Sequence, residues 1–363
     1  MTTLFMVELY HWGKLVTTLT ETASFSKKSL TRVGQILAGI VALFIVFKIV
    51  GVLFTFVSPP DPAPATVAFS KLPPVDLTGG IKLPDSIEIK VETVTGTIPS
   101  LSALAKVFSF ERNRATFSDL EEVSKNALKA GFSPKSAELG NSLTKFVDQK
   151  DQDRILTIEI ISGNFKLESQ FLNKPELAQS RPNSLEDAES MATSLMRNFG
   201  LPESAYPKDK ITTALYKVDN GRLIDAVSLS GANVVQVIFG RADLDNIHAY
   251  PLNLQDPQVW GLVSERSVLA AEKTTTAIEK QKFATYPLVG TNAAYEKLKK
   301  GQGVFNKMPK NNTFTIRDVE IGYVDSRKIQ KYLQPVYVFR GDDNVMAYVG
   351  AVSDLWIESS TPQ

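Results

Sequence analysis

Cysteine is absent from the 363-residue chain, and histidine occurs only twice. The first absence excludes a disulfide framework, a thiolate nucleophile and any Cys-ligated zinc. It does not argue against export, because a domain large enough to build a full core needs no covalent staples. The second confines imidazole chemistry to His11 and His248. No His-Glu-x-x-His motif, Gly-x-Ser-x-Gly elbow, Walker loop or dinucleotide glycine signature is present. An excess of one charge is lacking too. The net charge is +1: +2 in residues 1–33, +1 from Lys48, and so about −2 after Val57, which leaves no basic footprint for nucleic acid.

What the sequence does contain is one long apolar run. From Ile36 to Val57 only Lys48 is charged. As a helix this run is about 33 Å long, against a hydrocarbon core of about 30 Å. A signal-peptide core is shorter and its leader briefer, although Ala63-Pro64-Ala65 mimics a cleavage site. Residues 34–57 are therefore expected to form a transmembrane helix. Lys27, Lys28 and Arg32 precede it, while Asp61 is the only charged residue among the first twelve after it. The positive-inside rule then places the N-terminus in the cytoplasm and the C-terminal part outside, in a single-pass membrane protein. His11 and His248 fall on opposite sides of such a span. For Lys48 two readings stand. Its ammonium snorkels to an interface, or it pairs with an acid on a partner helix.

Beyond the run the chain divides by composition. Residues 1–33 form a cytoplasmic segment, and 58–77, with prolines at 59, 60, 62, 64, 73 and 74, form an extended linker. Two stretches then repeat a pattern. "SDLEEVSKNALKAGFSPKSAE" (118–138) and "NSLEDAESMATSLMRNFGLPESAY" (183–206) each open on a capping residue before Leu-Glu-acid and end at Gly131 or Gly200. Acidic starts and glycine ends predict amphipathic helices. Hairpin-like strands follow each, with turns at Ser162-Gly163-Asn164 and Asp219-Asn220-Gly221. The expected organisation is a first α+β unit at 78–182, a second at 183–252, a C-terminal unit at 253–358 and a tail at 359–363. In the last unit a helix is predicted from about Asn292 to Gly301, with Thr291 as its cap. The fold class expected is α+β: an N-terminal transmembrane helix, then repeated helix-plus-antiparallel-strand units.

That unit resembles the PepSY-like architecture. The stretch "YLQPVYVFRGDDNVMAYVGAV", with Pro335, Tyr337, Phe339, Tyr348 and Ala351, resembles the exported domains of YycH/YycI-type regulators. The resemblance implies a non-catalytic envelope protein that binds or restrains a membrane partner such as a sensor kinase. It supplies no catalytic residues.

Chemistry read from the residues is sparse. His248, in "NIHAYP", is read as a loop residue rather than a base. Asp148, Asp151 and Asp153 lack the glycine and distal glutamate of a calcium loop. Arg340-Gly341-Asp342 is read as a hairpin turn with glycine supplying positive φ, and Asn311 is a glycan acceptor only in a eukaryotic secretory route. No catalytic residue, cofactor or metal site is expected. The partners expected are the lipid bilayer and a membrane or envelope protein, with no nucleic acid. The function expected is non-enzymatic binding, regulation or scaffolding; the alternatives are a carboxylate-based enzyme and a structural component.

Overall fold

The computed structural model describes residues 38–48, 64–84, 86–111, 117–140, 142–328 and 330–359. The chain falls into two compact units, 1–64 and 65–363. In the first, the described residues form one helix, α1 (38–48), with its apolar side chains exposed. Eleven residues make a rod of roughly 16 Å, half a hydrocarbon core. Among the described residues no helix is long and apolar enough to cross a membrane. The expected transmembrane helix, and the single-pass localisation built on it, are corrected accordingly. An apolar run measures composition and does not fix how far the helix extends. Lys48 is the last described residue of α1, and its ammonium lies 5.8 Å from the centre of the Phe44 ring, one helical turn back. Lys27, Lys28 and Arg32, which carried the topology, lie outside the described residues.

The second unit is built mainly of strands. In chain order they are β1 (Ile81–Lys82), β2 (Glu88–Val91) and β3 (Leu104–Phe110); then, after helix α2 (Phe117–Lys129), β4 (Phe132–Gly140), β5 (Leu143–Asp148), β6 (Ile155–Glu159) and β7 (Phe165–Glu168). Helix α3 (Leu185–Asn198) leads to β8 (Ile211–Asp219), β9 (Arg222–Asp225), β10 (Val234–Phe239), β11 (Ala249–Pro251), β12 (Val259–Val263), β13 (Val268–Lys273) and β14 (Ile278–Pro287). Helix α4 (Thr291–Lys299) precedes β15 (Val304–Phe305), β16 (Thr313–Asp325), β17 (Tyr332–Leu333), β18 (Pro335–Gly341) and β19 (Met346–Gly350).

Three sheets result. Nine strands run in the order β4-β5-β6-β7-β13-β12-β10-β8-β9. Seven more make a second sheet around β16, β18 and β19, and β14-β3-β17 form a third. The expected α+β class of repeated PepSY-like units is therefore corrected to a mostly β fold. The reason is long-range pairing. The segment before α2 leaves its neighbours: β2 pairs with β16, and β3 with β14 and β17. Period-two alternation marks a strand without naming its partner.

The ends of α3 and the turn after β8 agree with the local reading. Ser184 Oγ accepts from the Asp187 amide, capping α3, and Glu186 and Asp187 fill its first turn. At the other end Gly200 adopts φ +78°, and the Leu201 amide donates to the Met196 carbonyl. This is a Schellman ending. The apolar face of α3 (Ala188, Ala192, Leu195, Met196) packs on Val235, Val237, Val259 and Ala271. The helix sits close because Gly261 faces it: a Cβ there would lie 3.4 Å from that of Ala192. Asn220 and Gly221, both at positive φ, turn β8 into β9. For α4 the cap differs from expectation: Gly290 precedes the helix, and the Thr291 hydroxyl donates to the Pro99 carbonyl instead.

Candidate functional site

The second unit carries a cleft of about 1240 Å³. Its walls include the turn after α3 (Gly200–Tyr206), the stretch after β10 (Arg241–Leu244), the link from β13 to β14 (Lys273–Ala277), the first half of β14, the end of β3 and the residues just before β17. Small-molecule sites fall at roughly 300–1,000 Å³. This cleft exceeds that range and has the size for a length of polypeptide.

Its floor is a buried polar cluster. Arg241 follows β10 and donates through Nε to the carboxylate of Asp325, the last residue of β16. Its Nη2 donates to Thr275 Oγ1 at 2.6 Å and to the Thr276 carbonyl at 3.1 Å, and its guanidinium lies 5.1 Å from the Tyr206 ring centre. The Tyr206 hydroxyl bonds to Thr275 Oγ1, and the Thr275 amide donates to Asn164 Oδ1. Burial pushes the Tyr206 phenol far above its ordinary value, so it is a neutral donor. The cluster ties the nine-stranded sheet to the seven-stranded one and is internally satisfied.

Lys273 is different. It ends β13 opposite Phe165, 4 % exposed, on the face that packs α3. Its Nζ donates to the Phe199 carbonyl at 2.7 Å, a group left over by the Schellman ending. Among the described residues no carboxylate pairs with it. The adjacent Glu272 is bound to Arg327 at 2.7 Å. Desolvation by burial therefore lowers its pKa from 10.5 to about 8. Gly163 and Gly200 flank the ammonium at positive φ; a Cβ on either would stand 3.5 or 3.9 Å from Nζ. Lys273 and Gly200 both line the cleft.

Around this point cations outnumber anions. Arg241, Lys273, Lys280, Lys282 and Lys331 line the cleft, against Glu111 and Glu279. Glu279 is paired with Lys282 at 3.3 Å, and the Lys331 ammonium lies 5.0 Å from the Tyr332 ring centre with no carboxylate partner among the described residues. The chain as a whole is nearly neutral, so the excess is local.

The depressed pKa has a consequence for stability. Below pH 8 Lys273 is charged both folded and unfolded, and its burial penalty is fully present. As pH rises from about 8 towards 10.5 the folded protein sheds this proton first. Stability is then expected to increase, by roughly 3 kcal/mol at the limit. Urea denaturation at pH 7.5 and 9.5 checks this. The midpoint should rise with pH in the wild type and not in Lys273→Met.

The residues singled out in the sequence lie elsewhere. His248 Nδ1 contacts Asp243 at 2.7 Å and Lys210 at 3.3 Å, and the ring stands edge-on to Tyr250. The hydrogen bond from Lys210, then that from His248, hold the Asp243 carboxyl below its usual range. Asp148 pairs with Arg154 at 2.5 Å, while Asp151 and Asp153 both pair with Lys174. Each carboxylate of that run thus has a cationic partner in the structure. Among the described residues no His, Cys, Asp and Glu form a group that could hold a metal. Asp342 is locked to Arg317 by two 3.0 Å bonds. The positive φ in that turn belongs to Asp343 and Asn344, while Gly341 is needed because a Cβ would meet the Phe314 ring at 2.5 Å. Asn311 sits in an exposed turn.

Sequence reasoning missed Lys273 and Arg241. One signal was available for the first. In "VLAAEK" strand alternation puts Lys273 on the same face as Ala271, which is fully buried. A lysine in phase with core residues marks a buried amine. Nothing local marks Arg241.

No family model matches the chain, and no curated protein matches it. Among solved structures, an uncharacterised protein from Eubacterium rectale is similar over 74 % of this chain and 89 % of its own, at 13 % identity and a TM-score of 0.37. A likeness that loose carries no argument about fold or function, and it offers nothing on the PepSY-like or YycH/YycI-type resemblance.

Proposed function

We propose that the chain is a non-enzymatic binding module whose cleft receives an acidic polypeptide segment of a partner protein. One observation supports this above the others. Lys273 is a buried ammonium with a single carbonyl acceptor, facing a cleft in which cations exceed carboxylates. A buried cation without an acid costs free energy, and sites of that kind cluster where function needs them. A carboxylate arriving from a partner would supply the missing counter-charge as a charge-assisted hydrogen bond. The size of the cleft favours a peptide over a small metabolite.

Fluorescence anisotropy with labelled decapeptides tests the reading. A glutamate-rich peptide is expected to bind and its lysine-rich counterpart not to. Added salt should weaken binding only partly, since a buried pair is less screened than a surface one. Lys280→Glu with Lys331→Glu should lower the affinity several-fold, because two exposed contacts of up to about 1 kcal/mol each are reversed. Equal binding of both peptides, or of neither, would sink the proposal.

A further inference from the structure

Lys273 also has the surroundings of a reactive amine. Three features of position bear on this. Its Nζ is held by one acceptor, the Phe199 carbonyl, and by no carboxylate among the described residues. Glycines stand on two sides of it, at 163 and 200, and leave a gap that any side chain would narrow. Thr275, two residues on, also lines the cleft, with its hydroxyl bonded to both Tyr206 and Arg241. Lysines desolvated in this way are the ones that react with carbonyl groups.

We infer that Lys273 is a site of reversible imine formation with small aldehydes that carry an anionic group. The amine nitrogen adds to the aldehyde carbon to give a carbinolamine. Loss of water then leaves a C=N bond, and the two amine protons depart with the former carbonyl oxygen. No oxidant or reductant is consumed. Lys280, Lys282 and Lys331 favour an anionic aldehyde over a neutral one, and the hydroxyls of Thr275 and Tyr206 lie in the same cleft as the dehydrating centre. This goes beyond peptide binding and requires only that solutes of a few atoms reach Nζ.

The amine state sets the expected rate. At pH 8 a group titrating at about 8 is half neutral, against about 0.3 % for an ordinary lysine. Discounted for the weaker nucleophilicity of a less basic amine, the advantage is about tenfold. The test uses the intact wild-type chain with glyoxylate as probe and cyanoborohydride as trap, followed by peptide mapping. Lys273 should be alkylated about ten times faster than Lys280 or Lys331 in the same molecule, with a midpoint near pH 8. Lys273→Met should remove the fast phase. Labelling that spreads evenly over exposed lysines, or leaves Lys273 untouched from pH 7 to 9.5, would overturn the inference. The acidic-peptide reading would be unaffected, because charge pairing does not require a neutral amine.

Discussion

Asp325→Ala is expected to destabilise the protein by about 3–5 kcal/mol, the cost of leaving one charge of a buried pair uncompensated. Arg241 is 6 % exposed and its Nε has Asp325 as partner. Without the carboxylate its guanidinium keeps hydrogen bonds to Thr275 and the Thr276 carbonyl and the Tyr206 ring, none of which carries the opposing charge. Both residues sit where two sheets meet, at the end of β16 and just after β10. The loss should therefore show as a lower urea midpoint and as a disordered cleft floor, seen in faster amide exchange at Thr275 and Tyr206. Replacing both partners, Arg241→Met with Asp325→Leu, is expected to restore much of the stability, since a matched apolar pair carries no desolvation penalty. Equal loss in the single and double variants would mean that packing, and not the charge, holds the sheets together.

Lys273→Met is expected to move stability and binding in opposite directions. At pH 7 the buried ammonium destabilises the fold by roughly 3 kcal/mol, as its lowered pKa implies. Methionine fills the same path without charge but leaves the Phe199 carbonyl without its donor, at a cost of about 1–2 kcal/mol. The net expectation is a gain of about 1–2 kcal/mol and a melting temperature several degrees higher. Acidic-peptide affinity should fall at least about tenfold, the worth of one charge-assisted hydrogen bond of about 1.5–3 kcal/mol. A residue that weakens the fold and strengthens binding is the pattern of a functional site. A variant less stable than wild type at pH 7 would identify Lys273 as a helix cap and nothing more.

How far the sequence reveals this molecule depends on the range of each interaction. Helix α3 is readable because Ser184, the acidic first turn and Gly200 act within a few residues of the positions they control. The Asn220-Gly221 turn is readable for the same reason. The sheets are not, because β2 meets β16 and β3 meets β14 across at least 168 residues of chain, and alternation alone does not choose among many strands. Lys273 and Phe199 lie 74 residues apart, and Arg241 and Asp325 lie 84 apart. The chemistry of the cleft is thus made by topology. The apolar run at 36–57 misled for a related reason. Its composition is a local quantity, whereas among the described residues no helix is long and apolar enough to cross a membrane.

Calorimetric titration of the glutamate-rich peptide at pH 8.5, repeated in buffers of different ionisation enthalpy, tests most directly whether the ligand anion meets Lys273. In the free protein this amine is mostly neutral at that pH, since it titrates at about 8. A bound carboxylate would bring it back to the charged form. The account predicts uptake of about three quarters of a proton per peptide, seen as a buffer-dependent heat that vanishes in Lys273→Met. Binding with the same heat in every buffer would show that the ligand does not engage Lys273, and would contradict the account.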